Sequence, residues 1–167
     1  PILIGILKLL DIDNSRCSAP ELLELLDIPA FHKRFKLNQR SIKTLTQWIN
    51  AAGIRWGIDT HQQDHFKLPV MSVNTWLFGL RRMLLGYAMP EEAGIYSGIL
   101  PLNGVQGIDA SLIGLLADFL DQIEHLAKTL NHERSIEDWT IYINEMLEHF
   151  LSPDENDEYP LKIIHDA

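Results

Sequence analysis

Apolar residues recur at spacings of three and four along most of this chain, and that spacing predicts amphipathic helices. No segment alternates apolar and polar residues in the manner of a convincing strand. Six segments carry the helical pattern: residues 1–10, 18–26, 38–53, 72–89, 109–130 (starting at 109 or 111) and 135–150. Because their lengths differ and their joints are irregular, we expect an all-α fold with about six helices in an irregular orthogonal array.

Capping signals support several of these boundaries. Ser18 is followed three residues later by Glu21, which is the pattern of a capping box. Asn38 and Ser135 are predicted to cap the helices that follow them, because short polar side chains accept hydrogen bonds from free backbone N–H groups. Gly53 is predicted to end its helix, since glycine adopts the left-handed C-terminal conformation without strain.

The segment over residues 72–89 is apolar around most of its circumference, and such a helix has neighbours on more than one side. Gly79 and Gly86 lie seven residues apart, and therefore almost on one line of the helix. Each costs about 1 kcal/mol relative to alanine in a helix interior. We therefore hypothesise that another backbone passes close to both glycines. The main apolar stripe of this helix consists of Trp76, Leu80, Met83 and Tyr87.

The final clear helix has one apolar face that we expect to be buried. That face consists of Ile136, Trp139, Ile143, Met146 and Phe150. Three tryptophans, Trp48, Trp76 and Trp139, lie on apolar helical faces, so core packing is the expected role for them. Trp56 lies in an irregular segment and is the exception. Such rings can also stack on bases of single-stranded DNA.

Charge limits the kind of partner that this chain can bind. It has 167 residues and a net charge of −9, which argues against a domain with a largely basic surface that binds duplex DNA. A local basic patch can still touch phosphate. Residues 33–43 contain five cations and no acid: Lys33, Arg34, Lys36, Arg40 and Lys43. They are candidates for contact with DNA or an acidic partner, or they form a solvated helix face. Arg82 is a further candidate for a DNA groove, or for a structural ion pair.

No pattern in the sequence indicates catalysis. The glycine-rich loop ending in Lys-Ser or Lys-Thr that ATP hydrolysis needs is missing, and the carboxylates form no compact set for a two-metal nuclease. His61 and His65 have the spacing of a zinc pair on a helix, with Asp64 beside them, but no third ligand is evident. Cys17 is the single cysteine, in no electropositive context. We predict no catalytic residue, no metal and no cofactor.

We expect residues 1–167 to form a single helical domain cut from a longer chain, because neither end carries a clear terminal signal. Residues 152–167 are predicted to be an acidic, mobile or truncated tail, with a further helix beginning at residue 159. No run of about 18 apolar residues predicts a membrane span. The lone cysteine and the missing signal peptide suit the cytoplasm.

Two stretches go beyond generic helical patterning. Residues 48–59 have the sequence WINAAGIRWGID, and residues 74–89 have the sequence NTWLFGLRRMLLGYAM. A Leu-Pro pair at residues 68–69 lies between them, and Gly-Ile-Leu-Pro follows at residues 98–101. In order and spacing, residues 21–120 resemble the gamma subunits of bacterial exodeoxyribonuclease V. One departure is Leu77, which stands where the family pattern has an arginine.

The resemblance implies a helical insertion in the second helicase-like half of a much longer, non-catalytic subunit. Subunits of this family channel the separated DNA strands and scan one strand for the recombination hotspot Chi. Their beta and alpha partner subunits supply the helicase motors and the nuclease. We therefore expect a scaffold of a double-strand-break repair enzyme, with those subunits and DNA as partners. The alternative is a module that only docks a protein and never touches DNA.

Overall fold

The computed structural model describes residues 1–67, 71–105, 110–154, 157 and 161–162, without the side chains of residues 63, 65 and 93. This part of the chain is all-α, as predicted. Its eight α-helices are α1 (Ile2–Leu10), α2 (Ala19–Leu26), α3 (Pro29–Arg34), α4 (Gln39–Ala52), α5 (Thr60–His65), α6 (Trp76–Ala88), α7 (Ser111–Leu130) and α8 (Ile136–Phe150). A 3-10 turn follows α6 at Glu91–Ala93. Helices α3 and α5 were not among the six predicted segments. Each has six residues, too few for an apolar repeat to be recognised.

The predicted caps form. The backbone N–H of Glu21 donates to Ser18 Oγ at 3.4 Å, and the backbone N–H of Ser18 donates to the Glu21 carboxylate at 2.7 Å, which completes a capping box at α2. Asn38 accepts from the backbone N–H of Ser41 at 2.9 Å and starts α4. Gly53 ends α4 with a φ of 75°. Local hydrogen bonds thus fix the start of α2 and both ends of α4.

Helix α6 is the central helix, although it begins four residues later than predicted. It begins at Trp76 because the Thr75 hydroxyl accepts a hydrogen bond from the backbone N–H of Phe78 at 3.2 Å and caps the helix there. It packs against both α4 and α7. The side chains of Trp76, Leu80 and Met83 are buried. Tyr87 was predicted to share this buried stripe, but it lies uncovered on the last turn and is 57% exposed.

The two glycines of α6 both have close neighbours, but only one of those neighbours is backbone. A Cβ at Gly86 would overlap the carbonyl oxygen of Leu102 and lie 2.7 Å from its carbonyl carbon. The backbone N–H of Leu102 also donates to the carbonyl oxygen of Arg82 at 2.9 Å, and this hydrogen bond holds the Leu102 backbone against α6. At Gly79 a Cβ would overlap the side chain of Ile54. The hypothesis of a close backbone is confirmed at Gly86 and wrong at Gly79.

Helix α8 is buried only in its second half. Met146 and Phe150 lie in the core, and the Phe150 ring lies 6.3 Å from the Phe31 ring of α3, measured between centroids. Ile136 is 86% exposed, and Trp139 is only partly buried. The predicted buried face is therefore wrong for the first turns of α8. The reason is that α8 packs on α3, which covers the C-terminal half of α8.

An arginine holds the first half of α8 in place. The Arg134 guanidinium lies 4.9 Å from the ring centroid of Trp139 and 4.1 Å from that of Tyr142. One of its N–H groups donates to the carbonyl oxygen of Thr129, at the end of α7, at 2.7 Å. The hydroxyl groups of Thr129 and Tyr142 are also hydrogen-bonded. Trp139 thus contacts a cation of its own chain, on one side of the α7–α8 joint.

The beginning of the acidic tail is anchored. The backbone N–H of Ser152 donates to the carbonyl oxygen of Ala30 in α3 at 3.0 Å. Several sequence predictions lie outside the described residues: the Leu-Pro pair at 68–69, the alternative helix start at Asp109 and most of the further helix expected from residue 159. The prediction that 152–167 is a mobile tail stays a prediction.

Candidate nucleic-acid interface

The five cations of residues 33–43, which we call the basic segment, are all exposed. Lys33 and Arg34 lie on the last turn of α3, where they are two of the three basic residues. Lys36 lies in the short connection that follows and has a left-handed φ of 52°. Arg40 and Lys43 lie on the first turns of α4. The basic segment thus lies at one corner of the domain, where the chain passes from α3 into α4.

One of these cations makes a hydrogen bond to the C-terminal end of α8, and another to the segment that follows it. Arg34 Nε donates to the carbonyl oxygen of Glu148 at 3.2 Å, and Lys33 Nζ donates to the carbonyl oxygen of Pro153 at 3.3 Å. The last carbonyl groups of a helix carry partial negative charge and attract cations. Lys33 and Arg34 therefore help to dock α8 on α3, a role that their charge alone did not reveal in the sequence.

The other three cations surround the N-terminal end of α4. Arg40 and Lys43 are three residues apart, so they lie on one side of the helix. The first turn of α4 contains no acidic residue. Because the N-terminal end of a helix carries partial positive charge, it adds to the potential of Lys36, Arg40 and Lys43. This corner is therefore a positively charged surface on an acidic domain.

A cleft lies beside the basic segment, between α3 and α7. Its volume is about 420 Å³. Arg34 and Lys36 line one wall, and Asp118 and Gln122 of α7 line the other. The side-chain oxygen of Gln122 is buried without a hydrogen-bond partner among the described atoms. The carboxylate of Asp118 repels phosphate, so an anionic backbone is favoured along the outer rim rather than inside the cleft.

Arg82 lies apart from the basic segment and makes its hydrogen bonds within the domain. Its Nε donates to the carbonyl oxygen of Leu100 at 2.9 Å, and its Nη1 donates to that of Ala52 at 2.8 Å. The structural partner expected in the sequence analysis was a carboxylate, whereas these partners are backbone carbonyl groups. Arg82 thus joins the C-terminal end of α4 to the loop that packs on Gly86.

Among the described residues, no group of three or more histidine, cysteine or acidic side chains is placed to hold a metal ion. His61 lies exposed on α5, while the side chain of His65 falls outside the described atoms. No helix in the described residues is long and apolar enough to span a membrane.

Cys17 is buried in the core rather than placed as a nucleophile. Burial raises the pKa of its thiol, and the hydrogen bond that Gln62 Nε2 donates to Sγ at 3.2 Å only partly opposes that shift. A raised pKa lowers the fraction of thiolate, which is the reactive form.

We therefore expect Cys17 to react with an aromatic disulfide reagent at pH 8 at least about tenfold more slowly in the native protein than in urea, because burial removes both access and thiolate. The release of the coloured thiol measures the rate. The unfolded protein serves as the control for full reactivity. Equal rates in the folded and unfolded protein would contradict the buried position of this thiol.

Comparison with known proteins identifies the family. A family model described as "RecBCD enzyme subunit RecC fourth domain" matches residues 1–167. The chain is 38% identical to RecBCD enzyme subunit RecC of Escherichia coli K12 over 164 residues, which are 98% of this chain and 15% of that protein. It is 36% identical over 150 residues to RecC of Haemophilus influenzae, covering 90% of this chain and 13% of that protein.

A more distant relative shows the same coverage. RecC of Buchnera aphidicola from Acyrthosiphon pisum is 32% identical over 157 residues, which are 94% of this chain and 15% of that protein. The chain thus spans about one seventh of the length of the RecC proteins that it matches. Since the family model covers every residue and the relatives match nearly the whole chain, this protein belongs to the RecC fourth-domain family.

Proposed function

We propose that this domain is a non-catalytic, DNA-facing scaffold of a RecC-type subunit. The observation that supports the proposal best is the distribution of charge. Five of the fourteen cations lie within eleven residues that contain no acid, while the whole chain has a net charge of −9. All five are exposed at one corner of the domain. A domain with this distribution presents a phosphate-attracting surface at that corner, although its net charge as a whole repels DNA.

At that corner we assign the contacts with a DNA strand to three residues. Lys36, Arg40 and Lys43 meet phosphates, while Lys33 and Arg34 hold α8 and shape the adjoining surface. Contacts of this kind position a strand without reading its sequence. The domain would therefore position a DNA strand that moves past it. This is the channelling role that family resemblance implies for the full subunit.

We also infer the partners of a full-length protein and the division of activities among them. The relatives are named as subunits of the RecBCD enzyme, so we infer RecB-type and RecD-type partners for a full-length protein. In the notation used for exodeoxyribonuclease V these are the beta and alpha subunits. Unwinding and DNA cleavage would belong to those partners. Scanning for Chi is assigned to the full subunit, and to no residue of this domain.

Charge reversal tests the DNA-facing surface. Changing Lys36, Arg40 and Lys43 to glutamate should weaken binding of the protein to fluorescent single-stranded or forked DNA by about tenfold or more at low salt, because three phosphate contacts become repulsive. Fluorescence anisotropy measures the dissociation constant. Far-UV circular dichroism and thermal unfolding verify that the variant is folded.

A matched control carries the same change in net charge at other exposed cations. Changing Arg16, Arg55 and Lys67 to glutamate should weaken DNA binding much less, because these residues lie outside the basic segment. Equal weakening of DNA binding by both triple variants would mean that the effect depends only on net charge, and it would contradict the proposal. If the unmodified protein does not bind DNA even at low salt, the result favours the alternative of a purely protein-docking module.

A further inference from the structure

Helix α1 has two apolar faces, and the domain covers only one of them. Ile2, Ile6 and Leu9 are buried in the core. On the opposite side, Leu3, Ile4 and Leu7 are 39%, 59% and 66% exposed. Leu3 and Ile4 are adjacent, and Leu7 lies four and three residues after them, so the three side chains form a continuous aliphatic stripe along the helix. Such a stripe on consecutive turns marks an interaction surface.

The stripe borders a groove between α1 and α2. The groove has a volume of about 350 Å³, and its lining includes Ile4, Leu7, Ile12, Leu22 and Leu25. The last three side chains are almost completely buried parts of the core. A ligand in this groove would therefore extend the hydrophobic core of the domain, which is how an amphipathic helix binds in an apolar groove.

The charges at the rim favour a protein occupant over DNA. Lys8 is the one cation in the lining of the groove, and its ammonium group is hydrogen-bonded to the carboxylate of Glu24. Glu21 and Asp11 add negative charge at the same rim. A phosphate backbone would meet two carboxylates and aliphatic side chains there. The basic segment offers phosphate a far better surface.

The length of the relatives points to the source of that protein segment. The matched residues make up 15% of the Escherichia coli RecC protein and 13% of the Haemophilus influenzae protein. Most of a RecC-type polypeptide therefore lies outside the residues described. A segment of the same polypeptide is present at a high effective concentration, so it can cover a small apolar groove that would bind a separate protein weakly.

We propose that the α1–α2 groove is the docking site for an amphipathic helix from another part of the same RecC-type polypeptide. This inference rests on the family membership and not on the DNA-facing role. The groove and the basic segment are made of different residues, so one assignment can fail while the other holds.

Site-specific photo-cross-linking in the full-length subunit, assembled with its partner subunits and DNA, tests the proposal. A benzophenone amino acid replaces Ile4 or Leu7, and mass spectrometry identifies the cross-linked peptide. The control position is Gln47, an exposed residue of α4. Since Ile4 and Leu7 are exposed in the domain itself, these replacements should leave the domain folded, which thermal unfolding of the assembly verifies.

The expected result is a cross-link from both groove positions to one peptide of the same polypeptide outside residues 1–167, with a yield at least about tenfold above that of Gln47. A cross-link to a partner subunit, to a second copy or to DNA would overturn the proposal. So would a cross-link within residues 1–167, or a yield no higher than at Gln47. The charge-reversal variants of Lys36, Arg40 and Lys43 test the basic segment, so the two assignments are judged separately.

Discussion

Replacing Gly86 with alanine is expected to destabilise the domain by roughly 4 kcal/mol, a loss large enough to lower the melting temperature by about 10 °C. The new Cβ would overlap the carbonyl oxygen of Leu102, which is backbone and cannot rotate away. Moving Leu102 would break the hydrogen bond from its N–H to the Arg82 carbonyl oxygen. It would also disturb Val105, which is completely buried nearby in the chain. Urea unfolding followed by circular dichroism gives the change in the free energy of unfolding.

Another helical glycine provides a matched control. Gly114 lies on α7, where a Cβ would meet nothing within 4 Å. Its replacement by alanine should be neutral or stabilising by up to about 1 kcal/mol, since alanine has the higher helix propensity. If Gly86→Ala has the same stability as the unmodified protein, the close approach of the Leu102 backbone to α6 is wrong.

Replacing Trp76 with alanine is expected to destabilise the domain by about 3–5 kcal/mol. The Trp76 side chain is completely buried, and its indole N–H donates to the carbonyl oxygen of Cys17 at 2.7 Å. The change therefore leaves a large cavity and a buried carbonyl group without its partner. Urea unfolding measures both losses together.

A phenylalanine at the same position distinguishes the effect of the cavity from the effect of the lost hydrogen bond. Trp76→Phe keeps much of the apolar volume but removes the N–H donor, so its loss should be smaller than that of Trp76→Ala by at least about 1 kcal/mol. Ile136→Ala, at the exposed start of α8, should change stability by no more than about 0.5 kcal/mol. A large loss at Ile136, or none at Trp76, would contradict the described core.

The sequence predicts features that depend on neighbouring residues and misses those that depend on distant ones. The caps at Ser18 and Asn38 and the end of α4 at Gly53 were predicted because each involves residues within one turn. The exposure of Ile136 was missed because apolar periodicity identifies a face but not whether another helix covers it. Gly86 was singled out by its cost within a helix, but the loop that approaches it could only be found in the structure.

The same division holds for the candidate interface. The charge of the basic segment is evident in the sequence, because five cations occur without an acid between them. The hydrogen bonds of Lys33 and Arg34 join residues more than one hundred positions apart, and no local pattern predicts them. Arg82 shows a similar limit, since its backbone partners come from two segments that the chain brings together only on folding.

The salt dependence of DNA binding tests the DNA-facing role most directly. Each phosphate that is neutralised on single-stranded DNA contributes about −0.7 to the slope of log affinity against log salt concentration. If Lys36, Arg40 and Lys43 contact three phosphates, charge reversal should make this slope less steep by about 2, whereas the control triple variant should keep the slope of the unmodified protein. Equal slopes for all three proteins would contradict the account.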